Sequence, residues 1–345
     1  MDSLRSLRVN GSRLLERLHV LAQIGATPKG GVNRPAYSQA DLQARARVRE
    51  WMRAASLEVS VDAAGNLIGR RRGREPELPP LALGSHVDSV PDGGSYDGPL
   101  GSLAALEVAQ TLAERRIALR HPLEVIIFQN EEGGLVGSRA LSGELREEEL
   151  GKVAASGCTV REGIRLLGGD PDRLAEARRH PGEVAAFLEL HIEQGGVLEA
   201  EGAEIGVVEG IVGIRWWEVT IEGAANHAGT TPMRQRRDAL LAAARFIQAV
   251  NRVVTRTSGT QVGTVGRIQA QPGAPNVIPG RVVATLELRD LEEAKIGRLY
   301  RSIRAAARRI ARESGTTFGF REIHANSPAP ADERIRHLIT KAAAE

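Results

Sequence analysis

Six residues carry the chemistry this chain can offer: His86, Asp88, Asp97, Glu131, Glu132 and His191. They lie in three stretches, LALGSHVDSVPDGGSYDGPLG (81–101), IIFQNEEGG (126–134) and AAFLELHIEQG (185–195). Each stretch opens with an apolar run that reads as a buried strand and closes in carboxylate, imidazole and glycine. A carboxylate at the end of a buried strand is costly to desolvate unless a cation or a partner compensates it. Several such ends meeting in one cleft make a hydrolytic metal site. Zinc takes imidazole nitrogen and carboxylate oxygen, and paired zincs share a bridging carboxylate. His86 and Asp97 flank one glycine-rich loop that can fold them toward a common point. Asp88, two residues after His86, is placed to accept the other imidazole N–H and fix its tautomer. Glu131 and Glu132 are adjacent, so an extended backbone points them apart, one to metal and the other to substrate as general base. His191 adds a second imidazole, and Glu193 and Gln194 follow it. Any one of these alone reads as a satisfied strand-end polar residue; three such ends together read as a metal hydrolase.

The elements that must position these groups alternate. Residues 4–24 and 41–55 are predicted to form amphipathic helices, the second with Leu42, Val48, Trp51, Met52 and Ala55 near one face. Residues 57–61 and 66–69 read as a hairpin. After a charged loop (70–80) come a strand ending at His86, a helix over about 100–115 and a strand over 123–129. This order points to an α/β sandwich with a mainly parallel central sheet. From about residue 212 the pattern changes to strand (216–222), helix (237–254), strand (261–268), strand (281–289), helix (292–313) and strand (318–323). That is a self-contained two-layer α+β unit. The expected organisation is therefore a catalytic domain of residues 1–211 and 326–345, with 212–325 inserted into it.

Composition excludes several classes. The chain has 345 residues, enough for about two domains, and 42% hydrophobic content, enough for sizeable cores. The net charge of +3 does not imply nucleic acid. The densest basic stretch, Lys295 to Arg312, alternates with Ile296, Leu299, Ile303, Ala307 and Ile310 at helical spacing, which makes its arginines a solvated helix face. No aromatic residues interleave to stack on bases. Cys158 is the single cysteine, so neither an intrachain disulfide nor a cysteine zinc knuckle can form. The sequence shows no signal-peptide core and no run of membrane-spanning length. A reduced, cytoplasmic protein is expected.

Beyond the residues themselves, GSHVDSVPDGGSYDGPLG, QNEEGG and LELHIEQG resemble the motifs of the amidase, hydantoinase and carbamoylase family, within the dizinc aminopeptidase-like superfamily. That family includes N-carbamoyl-L-amino acid hydrolases, β-ureidopropionases and allantoate amidohydrolases. The resemblance extends through GAANHAGTTPMRQRRDAL (223–240) and PGAPNVIPGRVVATLELRD (272–290), and so spans nearly the whole chain. It implies that His86, Asp97 and His191 hold one metal with Asp97 bridging, that Glu132 holds the second, and that Glu131 activates water. It implies two divalent ions per subunit, zinc by default, while such N/O ligand sets also accept manganese, cobalt or nickel. The inserted unit resembles a lid and dimerisation domain, which implies a homodimer. In that setting His227 reaches the partner's active site as an oxyanion donor, and Asn276, Arg289 and Gln194 bind substrate, Arg289 as a bidentate carboxylate clamp. The implied substrate is a small N-carbamoyl or ureido acid, with no nucleic-acid or membrane partner.

The sequence departs from the family in its last residues, RIRHLITKAAAE, where the glycine-rich loop that supplies the second site's histidine is missing. His337 lies off the face formed by Ile335, Leu338 and Ala342 and is not expected to replace it. The expectation is a fragment with a weakened second metal site and an apolar sheet edge left open. Two rivals stay in view: a peptidase or aminoacylase of the same superfamily, and a non-catalytic dimerising protein that keeps the fold.

Overall fold

The computed structural model describes residues 7–344. Two helices come first, α1 (Gly11–Gln23) and α2 (Gln39–Ala54). The side chains of Asn10 and Ser38 accept from Arg13 N–H and Asp41 N–H, so each helix starts on an N-cap. The start of the helix expected over 4–24 falls partly outside the described residues; within them the helix begins at Gly11. Leu18 and Leu21 of α1 are buried, and on the expected face of α2 Val48, Met52 and Ala55 are buried while Leu42 and Trp51 are half-buried.

The hairpin β1 (Glu58–Val61) and β2 (Leu67–Arg71) is antiparallel, with Val61 opposite Leu67. β3 (Leu81–His86), α3 (Pro99–Glu114) and β4 (Leu123–Phe128) follow, then the short helices α4 (Val136–Ser142) and α5 (Val160–Leu166), strand β5 (Ala186–Leu188) and α6 (Val197–Glu201). The five strands form one sheet in the order β1-β2-β4-β3-β5. β4, β3 and β5 run parallel, whereas the hairpin pairs antiparallel with β4, so the sheet is mixed. One ladder matters most for function: β3 and β4 end level, with His86 opposite Phe128. The segments that leave these two strands must therefore emerge side by side. β5 is one of the sheet's two edges, and Phe187 on it is 43% exposed.

The chain divides into two compact units, Met1–Gly202 and Ala203–Glu345. The second unit contains β6 (Gly210–Ile211), β7 (Gly213–Glu222), β8 (Asn226–His227), α7 (Ala239–Arg256), β9 (Val262–Thr264), β10 (Ile268–Gln271), β11 (Val277–Ile278), β12 (Arg281–Asp290), α8 (Glu293–Ser314), β13 (Thr317–Asn326), β14 (Ala329–Pro330) and α9 (Glu333–Ala343). Its main sheet runs β10-β12-β7-β13, with β9 also on β12, and every pairing is antiparallel. The strand expected over 261–268 is in fact two. Residue pairing with β12 shifts by one between Thr264 and Ile268, so an extra residue bulges out there. Alternate residues Trp217, Val219 and Ile221 of β7 and Leu286 and Leu288 of β12 turn inward against Phe246 of α7 and Ile303 of α8. The arginines at 298, 301, 304, 308, 309 and 312 are all exposed, as the helical spacing predicts. β6 and β14 pair with each other, and α9 has no buried residue; His337 is exposed on it.

Candidate metal centre

β3 delivers His86 as its last residue, and the ring is buried, 3% exposed. The glycine-rich loop then returns Asp97 to it, placing Asp97 Oδ1 4.0 Å from His86 Nε2. Gly98 makes this return possible. Its φ is +78°, and a Cβ there would sit 2.5–2.7 Å from the His86 ring. From beyond β5, His191 Nε2 lies 3.3 Å from the same Asp97 Oδ1. His86, Asp97 and His191 thus offer donor atoms all within 4.8 Å of one another. His86 forms a second such group with Glu131 and Glu132, and Glu131 Oε2 is 3.6 Å from His86 Nε2.

The other nitrogen of each imidazole is engaged. His191 Nδ1 faces the Ile192 carbonyl at 2.7 Å. His86 Nδ1 faces the Asp88 carbonyl at 3.0 Å, while the Asp88 carboxylate is 3.7 Å away. This corrects the sequence expectation: the backbone oxygen of Asp88, not its side chain, orients the ring. The carboxylate instead accepts from the N–H groups of Glu131 (3.3 Å) and Glu132 (3.2 Å). Asp88 therefore ties the end of β3 to the turn after β4. With Nδ1 committed, His86 has one nitrogen to give, so one ion at most can use it. A second ion would rely on Asp97 and Glu132.

Electrostatics fit a cation. Five carboxylates, from Asp88, Asp97, Glu131, Glu132 and Glu189, surround two imidazoles. Burial, reinforced by Asp88, Glu132 and Glu189 and opposed by His86, pushes Glu131 up to about 6. Burial also raises Glu132, with Asp97 and Asp88 adding to it and His86 opposing. For His86, burial works against protonation, but Asp88, Glu131 and Glu132 outweigh it and raise the ring's pKa. A divalent ion relieves this excess of negative charge, and an imidazole and carboxylate donor set suits zinc and its first-row neighbours.

The remaining predicted site residues are placed differently. Gln194, at φ +56°, turns its amide onto Asp97 Oδ2 at 2.6 Å, so in this arrangement it orients a candidate metal ligand and is not free for substrate. In the second unit, His227 and Asn276 come together on the β8–β11 ladder: His227 pairs with Val277, and Ala228 N–H donates to the Asn276 carbonyl at 2.9 Å. His227 Nδ1 accepts from Gly229 N–H at 3.1 Å, which leaves the proton of a neutral ring on Nε2. His227 and Asn276 are exposed. Arg289 lies on β12, and its Nε donates to Glu287 Oε1 at 2.7 Å. Sequence reasoning missed Ser85 and Glu189, which hydrogen-bond at 2.6 Å beside the cluster. Their signal was local, since each lies within two residues of a predicted ligand. It also missed Tyr37, far away in sequence and without any motif.

A hydrolase-type metal centre at the carboxyl ends of adjoining strands is what this geometry defines. Residues 82–345 match the model of the peptidase family M20/M25/M40. The chain belongs to that family, and within it to the hydantoinase/carbamoylase amidases. It is 43% identical over 339 residues to an N-carbamoyl-L-amino acid amidohydrolase of Geobacillus stearothermophilus, covering 97% of this chain and 83% of that protein. It is 33% identical to an allantoate amidohydrolase of Bacillus subtilis, covering 94% and 80%. Among solved structures, a hydantoinase/carbamoylase family amidase from Burkholderia ambifaria superposes with a TM-score of 0.90 at 36% identity, covering 98% of this chain and 83% of that one.

Proposed function

We propose that this chain is an amidohydrolase that cleaves the C–N bond of N-carbamoyl-L-amino acids or related ureido acids such as allantoate, with release of ammonia. The observation that carries the reading is the junction of His86, Asp97, His191, Glu131 and Glu132 at the strand ends of a hydantoinase/carbamoylase amidase. His86, Asp97 and His191 hold one divalent ion, with Glu132 as ligand to a second; zinc fits best, and manganese, cobalt or nickel are alternatives. Such an ion supplies Lewis-acid polarisation and lowers the pKa of water.

Glu131 is the general base: its carboxylate takes a proton from water as the oxygen adds to the carbamoyl carbon, and returns it to the departing nitrogen. One C–N bond breaks, and the carbamic acid that remains loses carbon dioxide to leave the amine. His227 serves as an oxyanion donor through Nε2–H, supplied by the partner subunit of a homodimer formed through a lid domain of residues 212–325. Arg289 grips the substrate carboxylate with its outer guanidinium nitrogens, Asn276 adds a polar contact, and Gln194 steadies Asp97 instead of reaching substrate. The single cysteine suits a cytoplasmic enzyme, and no described helix is long and apolar enough to cross a membrane.

The test is an ammonia assay on the purified chain supplied with zinc or manganese, using N-carbamoyl-L-amino acids and allantoate. Turnover that disappears in Glu131→Ala supports the reading. Release of amino acids from peptides without ammonia would assign the chain to the peptidase side of the family instead.

A further inference from the structure

Glu131 and Glu132 reach the cluster because the chain turns sharply as it leaves β4, and the turn is made by a residue that does not favour it. Asn130 has φ +47°, a left-handed conformation open to asparagine but uncommon for any residue with a side chain. Asp88 accepts from the amides of Glu131 and Glu132, and Val136 N–H donates to the Asn130 carbonyl, but the side chain of Asn130 is held by one distant segment, the entry to α2. The Tyr37 hydroxyl accepts from Asn130 Nδ2 at 3.1 Å and donates to Gln129 Oε1 at 2.6 Å. Gln129 is held in turn, its Nε2 donating to the Ala64 carbonyl at 3.0 Å. Two turns of α2 add to the grip: Asp41 Oδ2 accepts from Tyr37 N–H at 2.8 Å, and Arg45 Nη2 donates to the Gly65 carbonyl at 2.6 Å. Tyr37, Gln129 and Asn130 are 3%, 1% and 2% exposed, so water does not compete for these bonds. The Tyr37 ring lies flat against Gly163 of α5, where a Cβ would overlap it.

We propose that Tyr37 is a positioning residue for the catalytic base: its hydroxyl locks Asn130 in the left-handed turn that aims Glu131 at His86. The inference rests on Glu131 being the base. Tyr37 touches neither substrate nor any proposed metal ligand in this arrangement. It acts through two residues, Gln129 and Asn130, that precede the base in the chain. A phenol suits the task because it both donates and accepts, and its burial raises its pKa so that the proton stays in place.

The experiment compares Tyr37→Phe, Asn130→Gly, Asn130→Ala and Glu131→Gln in the 345-residue chain, with metal content, kcat and KM measured on N-carbamoyl-L-amino acids. Tyr37→Phe keeps the ring against Gly163 and removes only the hydroxyl. It should lower kcat about 10- to 100-fold, as expected for a displaced catalytic group, with KM and bound metal unchanged. Asn130→Gly, which permits the same φ without a side chain, should retain more kcat than Asn130→Ala. Crystal structures of wild type and Tyr37→Phe give a readout that needs no turnover: Asn130 should leave positive φ, and Glu131 should recede from His86. If kcat in Tyr37→Phe stays within twofold of wild type, or Asn130 and Glu131 do not move, the proposal is overturned. Activity retained in Glu131→Gln would instead overturn the assignment of the base.

Discussion

In the first unit the candidate residues converge: His86 and Asp88 are 3% and 2% exposed, His191 is exposed, and each imidazole has one nitrogen already engaged by backbone. In the second unit His227 and Asn276 are exposed, and Arg289 is occupied by a neighbour on its own strand. The contrast separates two jobs. A cation site must be built before the ion arrives, because its ligands need fixed separations and orientations. Donors for an oxyanion or a substrate carboxylate gain strength only when water is displaced from them. On the proposed reading, the first set is preorganised by the fold, and the second would gain its strength only once bound substrate excludes solvent.

Substitutions should sort along the same line. Glu131→Gln should reduce kcat the most, on the order of 10²- to 10⁴-fold, with metal content intact, as measured by steady-state ammonia release and elemental analysis. His227→Ala should cost about 10²- to 10³-fold in kcat and leave both metal content and melting temperature near wild type. If it released metal, the division between the units would fail. Arg289→Ala should lower kcat/KM roughly 10- to 100-fold for substrates bearing a carboxylate, and much less for their neutral amide analogues, because a charge-assisted pair is at stake.

The smallest effect concerns pH and belongs to the metal-free first unit alone. Burial pushes Asp41 from 3.8 up to about 6, against the pull of Arg45. Glu131 rises from 4.5 to about 6 through burial and its acidic neighbours. Both carboxyls thus bind their proton more tightly folded than unfolded, and His86, raised above 6.5, does likewise. The stability these groups contribute is present at acid pH and is lost as pH rises through their folded pKa values. Melting in chelator should show a falling midpoint between about pH 5 and pH 7, above the range in which the ion-paired carboxylates such as Glu149, held low by Arg139, lose their contribution, and added zinc should restore it at neutral pH. A midpoint that rose over that window would contradict the crowded-carboxylate account.

Much of this site could be read from residue types alone. His86, His191 and the Glu131–Glu132 pair follow apolar runs whose burial brings the polar ends to one edge of the sheet, and Asp97 comes back to them at the end of a glycine-rich loop. The helix faces were legible for the same reason: Ile296, Leu299, Ile303, Ala307 and Ile310 are buried at the predicted spacing. What periodicity cannot encode is which atom of a residue does the work. Asp88 meets His86 through its carbonyl and spends its carboxylate on two amides, a choice set by the path of the backbone. Gln194 turns onto Asp97 because its own φ is positive, which no residue type announces. Tyr37 reaches the turn after β4 from 92 residues away in sequence, and only the folded packing of α2 brings it there. The bulge between β9 and β10 was likewise invisible, since one added residue leaves the apolar pattern on each side intact.

Zinc analysis on the reconstituted, dialysed protein, compared with the His86→Ala/Asp97→Ala double variant, tests the metal centre most directly. Wild type should retain at least one ion per chain, with anomalous scattering between His86, Asp97 and His191, and the double variant should retain none while keeping its far-UV circular dichroism. Wild type that comes through reconstitution free of metal, or metal that persists in the double variant, would contradict the account.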